Sequence, residues 1–407
     1  MSSSPIHDRG GKPRSERSIA PRAKTAKRHY RAAAVCAPGL ESVLTAELQG
    51  LGCRPRPAGN GTVEFDATPR QLYAANVWLR TASRVMVRLG TFRSTDLGHL
   101  ERRAGQLDWE PWLADGATPK FRVSATDSKL YHTKAVAQRL TRAAGGHPHT
   151  DPEREQLFIV RIDRNNVTIS ADSSGDPLHK RPWREAVSQA PLRTSMAAAM
   201  LMRSGWADHA AESPDFGLID PFMGCGTIPI EAALLWLGLP PGGEREFAFA
   251  GWSSFEPGTW ASVAAELAAA YDRAEMRAAA HHPIILGSDR DETYITAAQE
   301  NAERAGQLVT DLVCFERRVV AHLPAASGRG MVVTNPPYGK RVGDGGDLSP
   351  LYRRFGSVMR ERLPEWGAAV LTSDRTLAKA ADRRLKSTAR FRHGGLAVEL
   401  FTRPPAP

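Results

Sequence analysis

Asn335-Pro336-Pro337-Tyr338 is the stretch of this 407-residue chain whose side chains are best suited to chemistry. It closes the apolar run Gly330-Met331-Val332-Val333-Thr334. Two successive prolines cannot continue a sheet, because each lacks an N–H and fixes φ. The strand therefore stops at Thr334 or Asn335, and the residues after it project from the edge of the sheet. The Asn335 side-chain oxygen and the Pro336 carbonyl can both accept from an exocyclic –NH2. Tyr338 can lie against the face of a flat ring. Together they would hold an amine-bearing base. Taken alone, the same letters also fit a plain Pro-Pro turn with a surface tyrosine.

Two earlier stretches bear on that choice. Phe216-Gly217-Leu218-Ile219 is a short apolar run ended by Asp220-Pro221-Phe222-Met223-Gly224-Cys225-Gly226-Thr227, after which Ile228 to Leu239 has a helical pattern. Strand, glycine loop and helix in that order let backbone approach a ligand closely, and a helix N-terminus favours a carboxylate. The loop is no Walker A, which needs Gly-Lys-Ser/Thr, and Pro229 spoils a dinucleotide fingerprint. Next, His282-Pro283-Ile284-Ile285-Leu286-Gly287-Ser288-Asp289 reads as a strand ending in an acid. In an open α/β sheet that acid reaches ribose hydroxyls, so Asp289 is the candidate. Asp291 reads as a solvated or N-capping carboxylate for a helix over Tyr294–Ala305. Trp236 to His281 then reads as an insertion, with Trp252, Phe255 and Trp260 forming a small packed annex or, second, a base-binding wall.

The elements that must position these residues are set by pattern. Tyr30–Val35, a helix over Gly39–Leu51, Thr62–Phe65, a helical Thr68–Leu79 and Val85–Phe92 make a small α+β unit. Lys120–Ala125, a basic helix Leu130–Ala144 carrying Lys134, Arg139 and Arg142, Leu157–Ile162 and Val167–Ala171 make a second. From Pro191 strands alternate with helices, as a doubly wound parallel sheet requires. Leu312–Glu316 is its third strand and Ala368–Thr372 its fifth. Phe391-Arg392 and Leu396–Phe401, joined through His393-Gly394-Gly395, form a closing hairpin.

Charge suits an anionic partner: the net charge is +10 and the pI is near 9.7. Residues 1–28 hold eight Lys or Arg against two Asp or Glu and lack apolar periodicity, so this basic tail is expected to be disordered. No run of about 18 apolar residues is present, which argues against a membrane span. Cys36, Cys53, Cys225 and Cys314 show no framework spacing, which suits a reducing cytoplasm. Cys225 reads as a small loop residue rather than a nucleophile. The pairs His147/His149 and His281/His282 lie in Pro-flanked loops without partner ligands, so no metal site is expected.

Residues 29–403 resemble the ribosomal-RNA guanine-N2 methyltransferases that join a ferredoxin-like segment and a THUMP domain to a class I, S-adenosylmethionine-dependent catalytic domain. The matching blocks are Ala37-Pro38-Gly39-Leu40-Glu41, Asp172 through Arg181, Ala190-Pro191-Leu192-Arg193, Asp220 through Thr227 into Ile230-Glu231-Ala232-Ala233, Gly287-Ser288-Asp289, Asn335 through Gly339, and the Gly394-Gly395 hairpin. The resemblance implies an α/β, Rossmann-like doubly wound sheet with a C-terminal antiparallel hairpin, preceded by ferredoxin-like and THUMP α+β domains. It places the tail at 1–28, the ferredoxin-like domain at 29–93, the THUMP domain at 94–180 and the methyltransferase domain at 181–407. It implies S-adenosylmethionine held by Asp220, Phe222, Gly224, Cys225, Gly226, Thr227, Asp289 and Glu316. Asp220, Gly224 and Gly226 would lie along the methionine moiety and Asp289 on the ribose. Asn335, Pro336, Pro337 and Tyr338 become catalytic, and Lys134, Arg139, Lys180, Arg181 and Arg184 take RNA. The last three read equally as a solvated basic linker.

Three departures from that pattern stand out. Gly224-Cys225-Gly226 replaces Gly-Ser-Gly, and Pro182-Trp183-Arg184 replaces Gly-Tyr-Arg. Val319 stands where the family places an Asp that accepts from the adenine amine. Either Glu316 takes that bond, or packing and backbone hold the adenine; losing the bond would cost roughly 1.5–3 kcal/mol of affinity. The expected mechanism is direct in-line transfer, with acceptors at Asn335 and Pro336 freeing the amine lone pair and Tyr338 fixing a base taken out of its stack. The substrate is expected to be 23S ribosomal RNA or a large-subunit assembly intermediate, with transfer RNA second. Adenine-N6 methylation of DNA and a non-catalytic RNA-binding assembly factor are the competing readings. Relatives that carry a second catalytic domain have no counterpart here before Pro407, so a second modification is expected to come from elsewhere.

Overall fold

The computed structural model describes residues 29–406 apart from 115, 146–154, 186–191, 327, 340–346 and 394. The basic tail, His147, His149, Ala190 and Pro191 thus lie outside the described residues. In the N-terminal half the elements are β1 (Tyr30–Val35), α1 (Glu41–Gly50), β2 (Arg56–Gly59), β3 (Thr62–Ala67), α2 (Pro69–Trp78), β4 (Arg84–Arg93), α3 (Leu97–Ala104), β5 (Thr118–Thr126), α4 (Thr133–Ala143), β6 (Glu155–Asp163) and β7 (Asn166–Asp172). Thr68 caps α2: its hydroxyl accepts from the Gln71 N–H, Gln71 reaches back to the Thr68 N–H, and Pro69 takes the first helical position.

These strands form one sheet in the order β2-β3-β1-β4-β7-β6-β5. The ferredoxin-like and second units therefore share a sheet, because β4 runs antiparallel to β7 from Met86↔Asp172 to Arg93↔Asn166.

The second half holds α5 (Thr194–Arg203), α6 (Trp206–Glu212), β8 (Gly217–Asp220), α7 (Thr227–Trp236), α8 (Pro257–Ala280), β9 (Ile285–Asp289), α9 (Glu292–Ala305), α10 (Gln307–Leu312), β10 (Val313–Arg317), β11 (Gly330–Thr334), α11 (Ser349–Arg362), β12 (Gly367–Thr372), α12 (Arg375–Ala381), β13 (Lys386–His393) and β14 (Leu396–Arg403). Its sheet runs β10-β9-β8-β11-β12-β14-β13. Neighbours from β10 to β12 are parallel, and β14 enters antiparallel to both β12 and β13. The winding direction reverses between β8 and β11, and open α/β sheets take ligands at such a reversal.

Both faces of this sheet are covered, so its strands read as unbroken apolar runs. Met331, Val333 and Leu218 pack on one face, while Val332 and Ile219 join Tyr352, Phe355 and Trp366 on the other. Gly217 and Gly330 sit side by side on β8 and β11, where a Cβ on either would come within 2.6 Å of the Trp366 indole. The indole fills the room both glycines leave.

The expected insertion is mostly the 24-residue helix α8. Its aromatic lead-in is no base-binding wall: it joins the two halves. Tyr73 of α2 stacks on Phe249 at 4.3 Å and also meets Phe255 and Trp260. Trp252 meets Trp112 edge-on at 4.9 Å and donates its indole N–H to Gln156 at 2.8 Å. Buried rings of this size contribute through area and edge geometry.

Candidate active site

The chain leaves β8 through Asp220 and β11 through Asn335, so the two loops lie side by side at the reversal. Thr334 closes the gap, its hydroxyl donating to Asp220 Oδ1 at 2.6 Å. The Phe222 N–H donates to the same oxygen at 3.1 Å. Asp220 Oδ2 is buried with no partner. Burial raises the Asp220 pKa to about 7, the Thr334 and Phe222 bonds oppose the rise, and Asp289 adds to it.

Gly224 and Gly226 take positive φ of 51° and 75°, which only glycine adopts at little cost. The Gly224 N–H donates to Asp289 Oδ2 at 3.2 Å, tying the loop to the end of β9. Asp289 Oδ1 accepts from the Asp291 N–H, and Asp291 caps α9 through the Thr293 N–H. Burial pushes the Asp289 carboxyl up. The Ser288 hydroxyl beside it is fully buried and unpartnered. Cys225 is buried, its carbonyl accepts from Asn301 at 3.1 Å, and its sulfur lies 3.7 Å from the Thr227 hydroxyl. Phe222 meets Phe355 edge-on.

Asn335 Oδ1 is buried and unpartnered. Pro336 is buried behind it, and Tyr338 packs half-buried against the core. The Tyr352 hydroxyl of α11 donates to the Pro337 carbonyl at 3.1 Å, fixing the Pro-Pro turn. Sequence reasoning passed over Thr334, Ser288 and Tyr352; Thr334 stood next to Asn335, whereas nothing local marked Tyr352. Three unpartnered buried acceptors or hydroxyls around one row of strand ends suit a ligand that brings its own donors.

The RNA-assigned cations scatter. Lys134 and Lys180 are exposed, and Arg139 pairs with Glu101 at 2.7 Å. Arg181 is corrected: it is 3% exposed, its Nε donates to Glu231 Oε1 at 2.9 Å, and its other nitrogens donate to the Leu178 and Arg80 carbonyls. With Arg80 beside the same glutamate, it joins the linker to α7 and the N-terminal half. A fully bonded buried guanidinium has nothing left for a phosphate. Arg184 instead leans over the glycine loop. Its Nη2 is 4.0 Å from Cys225 Sγ, and its buried Nε has no partner.

The nucleoside end differs. Glu316 is held by Arg318, at 2.9 Å from Nε and 2.5 Å from Nη2. Val319 stays 44% exposed on an open cleft of about 530 Å³ lined by Arg290, Arg317, Arg318 and His322.

Comparison with known proteins agrees with this architecture. Residues 181–398 match the family described as RMKL-like, methyltransferase domain, and residues 31–86 match the RlmL ferredoxin-like domain. The ribosomal RNA large subunit methyltransferase K/L of Methylococcus capsulatus is 35% identical over 91% of this chain, and that of Syntrophotalea carbinolica 33% over 89%. The chain spans about half the length of these relatives, 50% and 52%. A solved N6-adenine-specific DNA methylase predicted for Listeria monocytogenes is 31% identical with a TM-score of 0.80, covering 93% of this chain and 97% of that one. SMU.472, solved as a complex with SAH, is 25% identical with a TM-score of 0.81, covering 94% and 100%. On its catalytic domain, its ferredoxin-like domain and these relatives, the chain belongs to the RlmKL-like methyltransferase family.

Proposed function

We propose that this chain transfers a methyl group from S-adenosylmethionine to the exocyclic N2 amine of a guanine in 23S ribosomal RNA or a large-subunit assembly intermediate, in the cytoplasm. The observation that carries the reading is the buried, unpartnered Asn335 Oδ1 beside the Thr334–Asp220 bond at the sheet's reversal. The names of the K/L relatives support ribosomal RNA over other substrates. Among the described residues no helix is long and apolar enough to cross a membrane.

The residues present fit the cofactor. Asp220 Oδ2 would accept from its ammonium, and Arg184 with the N-terminus of α7 would meet its carboxylate. Asp289 would take its ribose hydroxyls. When bound, the cofactor supplies an electrophilic methyl on a positively charged sulfur. Asn335 Oδ1 and the Pro336 carbonyl accept the amine hydrogens and turn the nitrogen lone pair out of the ring. Tyr338 fixes the plane of the extruded base, and Tyr352 keeps the Pro-Pro turn from drifting. No strong base is needed, since the proton leaves to water after the methyl arrives, from a nitrogen that the new bond has made cationic and strongly acidic. Cys225 takes no part, because its buried sulfur serves the loop.

The test is methyl transfer to unmodified 23S ribosomal RNA, transfer RNA and DNA in parallel, with the product nucleoside identified by mass spectrometry. N2-methylguanosine in 23S RNA is the expected result. N6-methyladenine in DNA would overturn it in favour of the activity named for the Listeria structure.

A further inference from the structure

The nucleoside end of the cleft carries chemistry that the methyl-transfer reading leaves unused. With the ligand's amino-acid end on the β8 loop and its ribose on Asp289, the base lies farther along the row of strand ends, toward β10. There the open cleft is lined by Arg290, Arg317, Arg318, Val319 and His322. A 6-amino purine needs an acceptor for its amine, and these side chains offer donors. The β10 carboxylate, Glu316, is taken by Arg318, which also donates to the His322 carbonyl at 2.8 Å and through its backbone N–H to the Asp289 carbonyl at 2.8 Å. Glu292 faces Arg317 at 3.6 Å. Arg290 and Arg317 are exposed at the rim and can move onto a ring.

We infer that this cleft reads the purine by its acceptor edge, with arginine donors toward N7 and position 6, and therefore accepts a 6-oxo purine at least as well as adenine. Arginine meets the O6/N7 edge of a 6-oxo purine with two bonds. An acceptor wall would reject that edge and demand the amine. Val319 is the residue that decides between the two, because a carboxylate in its place would face the open cleft among these cations.

The inference rests on the cofactor reading above, and the test separates them. The full chain is titrated calorimetrically with S-adenosylhomocysteine and with S-inosylhomocysteine, its 6-oxo counterpart. The expected result is a dissociation constant for the inosyl compound no more than about fivefold above that for the adenosyl one, with Val319→Asp shifting the ratio toward the adenosyl compound by about tenfold or more. A second variant, Arg290→Gln with Arg317→Gln, is expected to weaken the inosyl compound more than the adenosyl one. Wild-type preference for the adenosyl compound above about fiftyfold would overturn the inference while leaving the cofactor reading intact. So would an unchanged ratio in both variants. No heat with either compound would overturn the cofactor reading itself, and the inference with it.

Discussion

At the ends of β8 and β11 every polar group beside the reacting position is buried, bonded to a neighbouring strand, or left open for a ligand donor. Thr334 bonds Asp220 from one strand to the next, Tyr352 of α11 holds the Pro337 carbonyl, and Asn335 Oδ1 between them has no partner. At the ends of β9 and β10, a few ångströms along the same row, the side chains are arginines at the rim of an open cleft, and a valine stands 44% exposed among them. On the proposed function, a reacting amine would have to be placed to within fractions of an ångström. The purine needs only enough contact to hold the cofactor. Tight geometry goes with bond-making, and looser contacts serve where binding alone is required.

The steepest way to break this contrast is Asn335→Ala. Turnover on 23S RNA should fall on the order of 10²–10³, as when a transition-state hydrogen-bonding group is removed. Calorimetric binding of S-adenosylhomocysteine should stay within about twofold; equal losses in both would mean Asn335 belongs to the binding end.

Asp220 sharpens the contrast through pH. Its carboxyl in the free protein titrates near pH 7 and must be ionised to meet an ammonium. Affinity for S-adenosylhomocysteine should therefore fall roughly tenfold per unit as pH drops below that value. Asp220→Asn should bind more weakly at pH 8 and flatten this slope. Linkage gives the matching stability result. The folded pKa lies above the unfolded one, so the free protein holds an extra proton between about pH 4 and 7. Its melting temperature should fall as pH rises through that window, and Asp220→Asn should lessen the fall.

Tyr352→Phe removes the bond to the Pro337 carbonyl. We expect about 1 kcal/mol of lost stability and a severalfold drop in turnover, with cofactor binding unchanged. The smallest effect belongs to the permissive end. Glu316→Gln should alter S-adenosylhomocysteine binding by less than about twofold, because its half-exposed pair with Arg318 contributes little. A tenfold loss there would show Glu316 reading the adenine amine after all.

How much of this was legible depended on whether the signal was local. Strand ends were, because Pro336 and Pro337 stop β11 and Gly224 and Gly226 turn the chain into α7. The Asp291 cap of α9 was legible for the same reason. Arg181 and Lys180 are neighbours in one basic run, yet one is buried on Glu231 and the other exposed. That difference is set by α7, fifty residues later, and no spacing in the linker records it. The β4–β7 pairing likewise depends on register between distant strands. The helix α8 escaped because its alanine-rich run has a weak apolar stripe, and the aromatics before it are the stronger local signal. The pairing of Glu316 with Arg318 is visible only as geometry.

The Arg80–Arg181–Glu231 cluster sets a limit on how such a chain can be taken apart. A catalytic fragment beginning at α5 would lack both arginines and strip Glu231 of its cations. It would also strip Tyr73 from Phe249. Recombination that traded one N-terminal half for another would have to bring matching arginines along. The folding unit is then the seam with both its sides, and a boundary drawn between the two halves cuts through it.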